Sequence, residues 1–242
     1  MLFILRQLRR LELRQRSGRY FLYAFGEIIL IVVGILIALQ IQNWNQQRLD
    51  KIEERYLLEE LVDNLNQEAE RFEEGIALQD RQLEYFHSIR DFIEKGTGSP
   101  ETFNKDVPKL VGGFYFNPAS SAYESMKSGR IGFSSRELKA ELVYYYDIQQ
   151  QVLLGTIGQH ATVVSNQVEP LFAKYIQSFH GTRDTGLTAV PKDIDDPEFR
   201  EAILGVVTIL EPRTLWNKDR IATLLERNRE ILTLVEQELE EL

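Results

Sequence analysis

Apolar residues along this chain follow two patterns: one unbroken run near the N-terminus, then a long region in which they recur every three or four positions among polar ones. The run, Tyr20 to Ile41, reads YFLYAFGEIILIVVGILIALQI and contains a single ionisable residue, Glu27. As a helix it is about 33 Å long at 1.5 Å per residue, enough to cross the hydrocarbon layer of a bilayer. The pattern predicts a transmembrane helix over 20–42, preceded by a basic segment over 1–19. A cleaved signal peptide would have a shorter apolar core followed by a small-x-small site. Here the run leads into Gln40, Gln42, Asn43 and Trp44, so an uncleaved signal anchor is predicted. Tyr20, Tyr23 and Trp44 sit where interfacial aromatic belts form, or on plain helix surface.

Beyond the run, Leu49, Ile52, Tyr56, Leu57, Leu61, Leu65, Phe72, Ile76, Leu83, Phe86, Ile89 and Ile93 keep a helical period among acids and glutamines. No glycine or proline falls between Gly34 and Gly75. The membrane helix is therefore predicted to continue as a stalk over 43–95, until Gly96-Thr97-Gly98-Ser99-Pro100 stops it. Gly75 reads as a tolerated helical glycine, with a bend as the alternative.

Residues 96–242 predict a helical bundle packed on the stalk. Val111 to Pro118 is aromatic, glycine-bearing and aperiodic, which suits a buried loop or short strand. Ser120 or Ser121 can cap a short helix ended by Gly129, and Ser134 or Ser135 can cap a second. That second helix is expected to run through Leu142, Tyr145, Ile148, Val152, Leu153, Ile157 and Val164 to Pro170, with a continuation to His180-Gly181. Thr182 to Asp195 is expected as a polar surface loop. Asp195 or Asp196, followed by Pro197, opens a helix over Phe199 to Leu210, and Pro212 is expected to interrupt before a last helix from Leu215 to Leu242. The fold class is thus all-α: a single N-terminal transmembrane helix, a long stalk helix, and an extracytoplasmic antiparallel bundle.

Charge changes the picture by fixing a direction. Residues 1–44 hold six arginines against Glu12 and Glu27, a local balance of about +4, and the whole chain carries −9. The remainder is therefore acidic, at about −13. Arginines crowding the short N-terminal flank place the N-terminus in the cytoplasm and the acidic domain on the far side. An acidic domain of this kind argues against nucleic-acid binding. The chain has no cysteine, which excludes disulfides, thiol chemistry and cysteine metal sites.

Two stretches carry a family resemblance. Tyr23-Ala24-Phe25-Gly26-Glu27-Ile28-Ile29-Leu30 with Gly34-Ile35-Leu36-Ile37-Ala38-Leu39-Gln40-Ile41-Gln42-Asn43-Trp44-Asn45 is one, and Ala122-Tyr123-Glu124-Ser125-Met126-Lys127-Ser128-Gly129 before a helix bearing Leu138 is the other. Together they resemble a family of bacterial single-pass membrane proteins of the domain of unknown function 6090 type. The resemblance implies an N-terminal anchor with an extracytoplasmic helical domain, and with the charge asymmetry the expected location is the bacterial inner membrane, with the domain in the periplasm. It brings no activity, cofactor or catalytic residue.

The sharpest constellation is one face of the membrane helix: Tyr20, Ala24, Glu27, Ile31, Gly34, Ala38, Ile41 and Asn45 alternate by four and three residues. This seam collects the small residues Ala24, Gly34 and Ala38, and Gly34 with Ala38 forms a small-xxx-small pair that lets backbones approach. A carboxylate on the same face would be held between helices rather than offered to lipid. Ala24, Glu27, Ile31, Gly34, Ala38, Ile41 and Asn45 are the candidate interface. Glu27 has other readings: it can snorkel, pair with Arg19 or Tyr23, stay protonated, or carry protons in a motor-type assembly.

Chemistry elsewhere is sparse. His160 and His180 read as structural histidines, and His87 beside Glu84 and Asp91 reads as a solvated face. No G-x-S-x-G, P-loop or G-x-G-x-x-G occurs. No catalytic residue, metal site or cofactor is assigned. Tyr144, Tyr145 and Tyr146 spread over about 200° of a helix, so at least one must leave the core face. These tyrosines, with Phe114 and Phe116, are candidate ligand or partner contacts, or core aromatics of the bundle. The cytoplasmic segment is too short for a signalling domain. The sequence therefore predicts a non-enzymatic scaffold or accessory subunit, associating with itself or with another membrane protein through its membrane helix. A small-ligand sensor signalling through a partner is the alternative.

Overall fold

A computed structural model describes residues 2–129, 133–182 and 186–242, with side chains described from Phe25 onward. The predicted all-α architecture is what it shows, with one small hairpin added. Helix α1 runs from Leu2 to Lys95 without a break. Two compact units divide within it, residues 1–53 and 54–242. In the first unit every described residue is exposed, including Ile28, Leu30, Ile35, Leu36 and Ile41. This helix is long and apolar enough to cross a membrane, with a mean hydropathy of 2.2 in its most apolar window.

In the second unit the chain runs along α1, back, along and back again. Gly96 and Gly98, at φ of +66° and +97°, end α1. Ser99 then caps α2 (Pro100–Asp106) by accepting from the Thr102 N–H at 3.1 Å. A 3₁₀ turn over Val107–Val111 leads into an irregular segment over 112–120, as its glycines and aromatics predicted. Helix α3 is Ser121–Lys127, followed by Gly129 at φ +85°. Ser135 caps α4 (Arg136–Val143), and helical winding then continues through α5 (Gln150–Val163) and α6 (Glu169–Tyr175). Two π-helical segments, Tyr144–Gln149 and Val164–Val168, join these pieces. Asp196, with Pro197 at the first helical position, caps α7 (Pro197–Glu241).

Three expectations are corrected. The long helix stops at Tyr175 rather than continuing to His180, because Ile176–Thr182 forms strand β1. The expected loop over Thr182 to Asp195 contains strand β2, Gly186–Pro191, antiparallel to β1 with Phe179 opposite Ala189. Ala189 is fully buried and Phe172 packs on Phe179 at 5.5 Å, so tertiary packing rescues a hairpin that is polar by composition. Pro212 lies inside α7 and does not interrupt it. Pro212 and Thr208, whose carbonyl loses its partner, are both exposed, while buried Val207, Leu210 and Thr214 hold the helix on either side.

Two clusters of buried side chains form the core. Leu58, Leu61, Leu65 and Phe72 of α1 meet Phe114, Tyr123, Phe133, Leu142, Tyr145, Ile221 and Ile231 in the first. Phe86 and Ile89 meet Phe103, Val168, Phe172, Phe199, Ile203 and Val207 in the second. Cross-links fix the directions: α7 is antiparallel to α1, since Glu73 pairs with Arg229, Asp80 with Lys218 and His87 with Glu211.

Candidate functional site

The candidate membrane face lies on the first unit. Glu27, Ile31, Gly34, Ala38, Ile41 and Asn45 sit at successive four- and three-residue steps of one continuous helix and are all exposed. A Cβ added at Gly34 would meet nothing within 4 Å, so this stripe is open to a neighbour. The side chain of Ala24 lies outside the described residues.

The aromatic candidates part company in the second unit. The π-helical winding at Tyr144–Gln149 inserts an extra residue per turn. As a result the neighbours Tyr145 and Tyr146 both point inward, fully and almost fully buried, while Tyr144 remains exposed. Phe114 and Phe116 are buried as well, with the Phe116 ring tilted against that of Phe72 at a centroid distance of 4.8 Å. The Phe114 ring fills the space above Gly75: a Cβ there would approach Cε2 to 2.6 Å. Close packing is thus the reason for this glycine.

Tyr145 belongs to a buried polar centre that the sequence pattern alone does not announce. Glu68 is fully buried and accepts three hydrogen bonds: from Ala119 N–H at 2.9 Å, Tyr145 O–H at 2.8 Å and Gln150 Nε2–H at 2.9 Å. Asn228 of α7 donates to Tyr145 Oη at 3.0 Å and to the Leu65 carbonyl at 3.1 Å. Burial raises the Glu68 carboxyl to about 7, against the opposing effect of Tyr145, Gln150 and Ala119. Burial, reinforced by the Glu68 charge, raises the Tyr145 phenol well above its ordinary range. A signal for Glu68 does exist: Leu61, Leu65 and Phe72 leave a gap in the apolar stripe at the position of this residue.

The centre is part of a polar ladder on α1 that satisfies the irregular return segment. Glu54 receives the Ser134 N–H and hydroxyl, Asn64 receives the Ala122 N–H, Arg71 donates to the Asn117 carbonyl, and Gln82 donates to the Gly112 carbonyl. A chain segment without its own helix or sheet must find such partners when buried.

The histidines have local partners. His160 is buried, and its Nε2 lies 3.0 Å from the Gly112 carbonyl, which requires that nitrogen to carry the proton; burial lowers its pKa. His180 lies 3.0 Å from the Ser178 hydroxyl, and His87 faces Glu211 of α7 rather than its own helix. Among the described residues no cluster of three or more metal-ligating side chains occurs.

A model of a family of unknown function, DUF6090, matches residues 27–151, just over half of the chain. The chain belongs to the DUF6090 family. The match begins at Glu27 in the exposed apolar stripe and ends beside Gln150, so it takes in the Glu68 centre apart from Asn228. Neither the curated proteins nor the solved structures give a match to this DUF6090 protein.

Proposed function

We propose that this DUF6090 protein is a non-enzymatic, membrane-anchored helical protein of the bacterial inner membrane. Its N-terminus is cytoplasmic, its domain periplasmic, and it acts as scaffold or accessory subunit of a membrane assembly. The observation that carries the reading is the exposed helix after Phe25, which has no intramolecular cover over its apolar residues and keeps Glu27, Gly34 and Ala38 in one phase. Lipid covers most such surface, and a helix neighbour covers the phase that bears the carboxylate.

The sensor reading has narrower support, because Tyr145, Tyr146, Phe114 and Phe116 are committed to the core and Tyr144 alone of the five is exposed. The deciding experiment is the native mass of the full-length protein in nanodiscs taken from its own membrane, read against the 28.2 kDa chain. A whole multiple is the result expected for self-assembly, and a mass that is not a multiple reveals a foreign subunit. A monomer overturns the proposal.

A further inference from the structure

A groove runs between the α4–α5 helix and α7, wholly within the 54–242 unit. One part, of about 640 Å³, is lined by Tyr144, Ile148, Val152, Trp216, Arg220 and Leu224 among others. A second hollow of about 310 Å³ shares Val152, Trp216 and Arg220 and continues past Gly155 to Arg213. From Tyr144 to Gln159 the groove is about 22 Å long. Its apolar lining is unpartnered: Tyr144, Ile148 and Val152 stand at four-residue steps and are exposed, and Trp216 is 65% exposed. Exposed tryptophan beside aliphatic residues in a concavity is the composition of a binding hot spot.

The charges in the groove give the occupant its sign. Arg213 and Arg220 lie two helical turns apart on α7 with Trp216 between them. Among the described residues neither makes an ion pair or a hydrogen bond, although the same helix pairs Arg227 with Glu141 and Arg229 with Glu73. Asp219 is the one carboxylate that lines either hollow. In a chain of net charge −9, two unpaired guanidiniums flanking an apolar floor mark an anionic partner. Gly155, which lines the second hollow, has nothing within 4 Å of an added Cβ and leaves room for a backbone to approach.

We propose that this groove receives an acidic amphipathic helix of a partner protein. Its apolar stripe would lie on Ile148, Val152 and Trp216, and two carboxylates about two turns apart would meet Arg213 and Arg220. A second copy docking groove to groove would bring like charges together. A flat membrane would meet the rims of a concavity rather than its floor, and a small ligand would gain little enclosure in an open trough. The proposal involves no residue of the membrane helix, so it stands or falls separately from the assembly reading above.

The test uses full-length protein in zwitterionic nanodiscs and two labelled synthetic helices of about 18 residues. Both carry the same leucine stripe, one with Glu and one with Lys at two positions seven apart, and binding is read by fluorescence anisotropy against empty discs. The Glu helix is expected to bind. Arg213→Glu with Arg220→Glu should weaken it tenfold or more while creating affinity for the Lys helix, which also shows that the variant is folded; Trp216→Ala should weaken binding of the Glu helix. Equal binding of the two helices, or binding unchanged by the charge reversal, overturns the proposal. So does a failure of both helices to bind while the same arginines hold the discs to anionic vesicles, which would assign the groove to membrane.

Discussion

Replacing Glu68 by glutamine should make the protein more stable at alkaline pH than at acid pH relative to the natural chain. Glu68 is fully buried, and its carboxyl is raised from the ordinary 4.5 to about 7. A raised acid holds its proton in the folded state where the unfolded chain has already lost it. The stabilisation by the neutral carboxyl is therefore complete below about pH 4.5 and is lost as pH rises through about 7. The shift corresponds to about 3 kcal/mol across that window. Glutamine fits the site without titrating. Its carbonyl can keep the Ala119 N–H, and a flip of the Gln150 amide turns an otherwise unpartnered buried oxygen toward the new NH₂ group. The assay is thermal unfolding of the full-length protein in detergent, followed by far-UV circular dichroism from pH 5 to pH 8. The melting temperature of Glu68→Gln minus that of the natural protein should climb with pH by about 5–10 °C. A difference that stays flat across this range would refute the reasoning, because it would mean that Glu68 is already charged in the folded protein at every pH tested.

Tyr145→Phe removes a donor to the Glu68 carboxylate and should cost about 1–3 kcal/mol at pH 8 and less at pH 5, with the pH-dependent loss of stability extending to higher pH than in the natural chain; the same melts check it. Gly75→Ala drives a methyl against the Phe114 ring and should cost about 1–2 kcal/mol despite better helix propensity, and Phe114→Leu in the same chain should restore most of it in denaturant titrations. Gly34→Ile should dissociate the assembly in native mass measurements, whereas Glu27→Gln should preserve it if the carboxylate serves as a hydrogen-bond partner; an intact assembly in Gly34→Ile refutes the seam.

Local signals in the sequence determined much of this protein. The unbroken apolar run and the absence of glycine or proline between Gly34 and Gly75 were enough to predict a continuous helix through the apolar segment and beyond it, since helix propagation needs only local hydrogen bonds. Ser134 or Ser135, and Asp195 or Asp196 with Pro197, marked helix starts by their capping chemistry, which also acts within a few residues, and Ser135 and Asp196 are the caps. The tertiary structure decided what depends on contacts distant in sequence. Pro212 remains helical because buried residues on both sides hold α7, and the hairpin at Ile176–Pro191 forms because Ala189 and Phe179 find neighbours. Whether Tyr144, Tyr145 or Tyr146 left the core was set by π-helical winding, which a 3.6-residue period cannot foresee. Glu68 falls in phase with Leu61, Leu65 and Phe72, but that phase by itself names no partner for an acid on an acidic helix. Only the approach of Ala119, Tyr145 and Gln150, from 51 to 82 positions away, turns it into a buried carboxyl, because burial is a property of the assembled core and not of the local chain.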